Sequence, residues 1–118
     1  MAAAQTDQLI DQGETFVQVL TWTDETGAGI DLYGYDARMQ VRTTYADNGG
    51  DILADLILGD GIEITDEAGG EITATIDADT TEAMPIGAWV YDLEVESGVG
   101  NVTKLLRGAF VVRGEVTR

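Results

Sequence analysis

Apolar and polar residues alternate with a period of two along most of this chain, and clusters of Gly, Asp and Asn interrupt the alternation at short intervals. From Ala88 to Glu96, Trp89, Tyr91, Leu93 and Val95 share one face while Asp92, Glu94 and Glu96 share the other. That is a strand with one dry and one wet face. Its dry face belongs to a core. Its acids are spaced to pair with a neighbouring basic strand, the one carrying Lys104 and Arg107. The same reading puts Phe16, Leu20 and Trp22 on one side of Thr15 to Thr23 and Val17 and Val19 on the other. It sets Ala37, Met39 and Val41 against Arg38, Gln40 and Arg42 in Asp36 to Tyr45, and Ile72, Ala74 and Ile76 inward in Glu71 to Asp77.

Between these lie the breakers. Asp24 to Gly29 and Ala46 to Asp51 are turns, the second with Asn-Gly and Gly-Gly steps that supply positive φ at little cost. Ile52 to Leu58 is open to either a strand or a short helix; its brevity and the following Gly59-Asp60-Gly61 favour a strand. Ile62 to Thr65 forms a hairpin with Glu71 to Asp77. Gln8 to Gln12 is a candidate edge strand, and Val102 to Arg113 is the last strand, with Gly108 a bulge or crossing point. One short helical turn is expected near 79–84, capped by Asp79 or Thr80 with Glu82 in reach and ended by Pro85. The sum is an all-β fold: a two-sheet immunoglobulin-like sandwich of about 7–9 short antiparallel strands, with a small open barrel as the second choice. Residues 1–118 make a single domain with 1–7 as an N-terminal arm, and at least one of the two termini is expected to pack against a partner subunit.

Composition narrows the chemistry. A chain of 118 residues is long enough to bury a core without staples. Cysteine and histidine are both absent, which removes disulfides, thiolate chemistry, the commonest general base and the commonest transition-metal ligand. A net charge of −16 opposes nucleic-acid backbones and anionic membrane surfaces. No apolar run approaches the roughly 20 residues that cross a bilayer. The start of the chain has neither the basic nor the apolar region of a signal peptide.

Few constellations remain. Asp77 and Asp79, Asp66 and Glu67, and Asp47, Asn48 and Asp51 sit on turns, but none makes the converging oxygen loop that calcium requires. They read as turn and cap residues, with a weak divalent cation at Asp77 and Asp79 as the alternative, so no metal site and no cofactor is assigned. The single serine, Ser97, lies in a turn with no base to activate it, and the chain reads as no enzyme. Cations are scarce enough to be informative. Arg38 and Arg42 on one strand either balance neighbouring acids or anchor a partner's carboxylates. Tyr33 and Tyr35, bracketing Gly34 in a loop, are candidates for partner contact, while Trp22 and Trp89 read as core plugs.

Four segments taken together carry a resemblance: Asp11-Gln-Gly-Glu-Thr-Phe16; Thr26 to Tyr35 leading to Ala37 to Arg42; Thr81 to Gly87 running into Tyr91 to Glu94; and Leu106 to Phe110 followed by the tail Glu115 to Arg118. They resemble the immunoglobulin-like N-terminal domain of phage baseplate upper proteins, within a class of small tailed-bacteriophage virion proteins. The resemblance implies a non-enzymatic structural component of a virion, a baseplate or tail-fibre adaptor made in the host cytoplasm and built into the tail rather than the capsid. Its partners would be other baseplate, fibre or coat subunits, with several copies in a symmetric homo-oligomer and no nucleic acid or membrane. The alternatives are a capsid decoration (cement) protein and a small carbohydrate-binding module, the last requiring an exposed Trp22 or Trp89.

Overall fold

The computed structural model describes residues 4–45 and 49–115. Nine strands and one helical turn follow one another as β1 (Ala4–Gln5), β2 (Gln8–Asp11), β3 (Phe16–Thr21), β4 (Asp36–Arg42), β5 (Ile52–Leu58), β6 (Gly61–Asp66), β7 (Glu71–Ile76), α1 (Ala78–Ala83), β8 (Gly87–Glu96) and β9 (Val102–Arg113). The protein is mostly β, as its period-two pattern requires. Its strands form one hydrogen-bonded path, β1-β9-β8-β4-β5-β6-β7-β3, with β2 also on β9, and this sheet curls as a half-barrel.

Three expectations change here. The hydrogen bonds do not divide into two separate sheets. Gly59 and Gly61 at φ +87° and +97° turn the chain within two residues, so β6 restarts beside the end of β5 through the parallel pairs Ile57–Gly61 and Leu58–Ile62. Nor is every pairing antiparallel, because β1 and β2 both run parallel to β9 along its outer edge. The helical turn is present, but its cap is Asp77 rather than Asp79 or Thr80. The Asp77 carboxylate accepts the Thr80 N–H at 2.8 Å, and Met84 closes the turn through its N–H to Thr81 O.

The core is the inner face of the curl, and alternation assigns it: Ala37, Met39 and Val41 of β4, Ile72, Ala74 and Ile76 of β7, and Tyr91, Leu93 and Val95 of β8 are all buried. Phe110 of β9, fully buried, meets Phe16 of β3 edge-to-face at 5.2 Å and Tyr91 at 6.0 Å. Strands at opposite ends of the path thus face each other. Thr81, the one buried polar residue of the described core, donates its hydroxyl to Glu14 O at 2.8 Å and ties α1 to the segment before β3.

The described part of the N-terminal arm docks on its own chain. Between β1 and β2 the backbone passes over Gly108, where a Cβ would lie 2.2 Å from Thr6 O, so glycine is what permits the approach. Thr6 N–H donates to Arg107 O, Asp7 Oδ1 accepts the Ala109 N–H, and Thr6 O accepts the Tyr91 hydroxyl at 2.6 Å. The crossing expected at Gly108 is this one.

Docking of this kind predicts that Tyr91→Phe lowers unfolding free energy by about 1 kcal/mol, the worth of one internal hydrogen bond. Urea denaturation measures it, and hydrogen exchange at Thr6 and Gln8 should accelerate in the same variant. An unchanged midpoint would show that the Tyr91 hydroxyl contributes nothing to holding the arm.

Candidate functional site

The outer, polar face of β4, β8, β9 and β1 carries a groove of about 740 Å³. Register builds its floor in rows, because residues paired across neighbouring strands point to the same side of a sheet. One row is Arg38–Glu94–Lys104, the next Gln40–Asp92–Arg107–Gln5, and the third Arg42–Val90–Ala109. Tyr45 and Asp7 add to the walls. Four of the chain's six cations, Arg38, Arg42, Lys104 and Arg107, line this one groove together with three acids, Asp7, Asp92 and Glu94. On a body of net charge −16 it is a region where cations outnumber acids.

The cations are not equally occupied. Lys104 sits between Asp92 at 3.1 Å and Glu94 at 2.9 Å, which realises the expected pairing for two of the three outward acids of β8; Glu96, opposite Val102 in register, has no ion pair among the described residues. Burial alone would pull its pKa down, but the hydrogen bonds to Glu94 and Asp92 outweigh that and raise it. Arg42 is spent on structure, its Nε on Gln40 Oε1 at 2.9 Å and a terminal nitrogen on Gly50 O at 3.2 Å. Among the described residues Arg38 keeps only a loose contact to Asp55 at 3.6 Å, with both side chains about half exposed. Arg107, although opposite Asp92 in register, holds no ion pair among the described residues. Across Asp92 from it, Gln40 Nε2 is buried without a hydrogen-bond partner among the described residues. With Asp92 of the same row held by Lys104, the Arg107 guanidinium and the Gln40 and Gln5 amides can take a carboxylate.

The four residues singled out in the sequence do not come together. Arg38 and Arg42 line the groove. Tyr33 lies in the β3–β4 connection, 78% exposed, whereas Tyr35 packs edge-to-face against Trp22 at 5.8 Å and flanks the core. Sequence reasoning named Arg107 only as a partner for the acids of β8, and did not offer Gln40, Gln5 or Tyr45 as contact residues. The available signal was outward parity on Arg107 and Gln40, and only strand order makes it one face. Trp22 and Trp89 are both half-buried against the core, and Trp89 donates its indole N–H to Pro85 O at 2.9 Å.

The acidic turns serve the backbone. Asp24 accepts from the hydroxyl and amide of Thr26, which hold its pKa below the usual carboxylate value, and Thr80 does the same for Asp77. Asp66 accepts the Gly69 N–H. Among the described residues no three acids gather as a metal site would require; Asp47 and Asn48 lie outside them. In comparisons with known proteins, no family model and no curated protein matches this chain.

Lys104 and Tyr91, whose phenol is also raised by burial, both keep their protons to higher pH folded than unfolded. Their contribution is therefore complete below the ordinary values of 10.5 and 10.0 and is lost as pH rises through the raised ones. The urea midpoint is expected to fall over that alkaline range, and less steeply in Lys104→Met. Identical alkaline slopes would show that Lys104 is not held by its two acids.

Proposed function

We propose that this protein is a non-enzymatic structural component of a tailed-phage virion, an adaptor at the baseplate or tail-fibre attachment, working in several copies among other virion proteins. We read its curled sheet as a variant of the immunoglobulin-like sandwich, with β6, β7 and β3 folded over β9, β8 and β4 about the two-pair β5–β6 joint. Phe16 against Phe110 is the contact that holds those halves face to face.

The observation that carries the functional reading is the concentration of scarce cations in one groove. A stability role would scatter them, since an exposed pair contributes a few tenths of a kcal/mol wherever it sits. Arg38 and Arg107, one loosely paired and one unpaired among the described residues, suit the carboxylates of a neighbouring subunit. The acidic remainder of the surface keeps other contacts from forming.

Mass spectrometry of separated phage heads and tails tests the location: the protein is expected in tails, and recovery in heads would replace the adaptor with the cement protein. Arg38→Glu with Arg107→Glu is expected to cut incorporation at least about tenfold, equivalent to about 1.4 kcal/mol, with an unchanged melting temperature. Full incorporation of that variant would remove the groove from the assembly contact.

A further inference from the structure

The end of the sheet opposite β1 is built unlike the rest. β3 is the last strand of the path, paired on one side with β7 alone. Natural edge strands are guarded by charge, proline, a bulge or a cover, because their unpaired N–H and C=O groups recruit other strands. β3, Phe-Val-Gln-Val-Leu-Thr, has no charge and no proline, and its ladder with β7 runs through all six residues without a register shift. Among the described strands longer than two residues it is the only one lacking a charged residue. Val17 and Val19 stand 57% and 53% exposed on its outer face.

Backbone direction is fixed by its neighbours. The Trp22 N–H donates to Gly70 O on the β7 side, so by alternation the even positions of β3 bond to β7. The odd positions, Thr15, Val17, Val19 and Thr21, turn their backbone groups to the open side. There the Val19 carbonyl is met by the Gln18 side-chain amide at 3.1 Å instead of by a strand.

We propose that β3 pairs edge to edge with β3 of a second copy of this chain, antiparallel about a two-fold axis at Gln18. The sequence is self-complementary in that register. Val17 falls opposite Val19 of the other copy, and Thr15, just before the strand, opposite Thr21; the backbone groups of these positions face the open side, and the Gln18 amide gives up the Val19 carbonyl when the ladder forms. Valine–valine and threonine–threonine are favourable cross-strand pairs. Charge selects the same edge: two bodies of −16 repel, and the strand without carboxylates is where they meet with the least repulsion. The neighbouring outward positions on β7 opposite the valines are Thr73 and Thr75, which extend the uncharged band. The interface is independent of the cationic groove, which lies on β4, β8 and β9.

Sedimentation equilibrium of the intact protein is the primary test. A dimer is expected whose affinity rises with salt, because screening weakens the repulsion between acidic bodies. Val17→Lys with Val19→Lys should weaken it at least about tenfold with unchanged circular dichroism, although the variant is less acidic and net charge alone would strengthen association. Since the chain has no cysteine, mixing Val17→Cys with Val19→Cys protein should give disulfide heterodimers faster than either alone, and faster than Leu9→Cys, an equally exposed control on β2. A monomer up to about 1 mM, a dimer indifferent to the lysines, or cross-linking no faster than the control would each overturn the proposal.

Discussion

The contact of Phe110 with Phe16 and Tyr91 is what the rest of this structure depends on. A nine-stranded sheet with one apolar face must bury that face or curl upon it, and here it curls. Phe110 stands on β9 and Phe16 on β3, near the two ends of the hydrogen-bonded path, so their edge-to-face contact brings those ends together. Tyr91 adds a third ring and extends the cluster outward, because its hydroxyl reaches Thr6 O and fastens the N-terminal strands over Gly108. Core, curl and arm are one connected arrangement.

Closing the sheet this way creates the two surfaces of interest. The inner face is consumed by packing, and no site is left there. On the outer face, β4, β8 and β9 lie side by side and carry their polar residues in rows, which gathers cations from positions 38, 42, 104 and 107 into one groove. At the far end of the path the curl leaves β3 with one open edge. One surface is specific through charge and donors, the other through shape and unspent backbone groups. A protein that assembles needs contacts of both kinds, and its strong negative charge restricts where they form.

Much of this was legible in the chain. The strands from Thr15, Asp36, Ile52, Glu71, Ala88 and Val102 were all visible, since period-two alternation is imposed by the pleat and needs no knowledge of neighbours. Buried positions 37, 39, 41, 72, 74, 76, 91, 93 and 95 followed from the same parity. Pairing was less legible. Hairpin logic favours antiparallel neighbours, and nothing local announces that β1 and β2 run parallel to a strand about a hundred residues away. The cap shifted to Asp77 because a carboxylate reaches an N–H three residues on, and either Asp77 or Asp79 satisfies that spacing in sequence.

By itself the sequence determined the all-β character, the faces of the strands, the places of the turns and the absence of histidine and cysteine chemistry, because each follows from residue type and local spacing. Strand order was decided only by tertiary packing. It set Arg107 beside Asp92 and Gln5, left Arg38 and Arg107 available while Lys104 and Arg42 were occupied, and moved Tyr35 against Trp22 while Tyr33 stayed in solvent. The physical reason is range. Alternation acts between adjacent residues, whereas a groove or an open edge is a relation between strands, and it exists only after the aromatic cluster has drawn the ends of the sheet together.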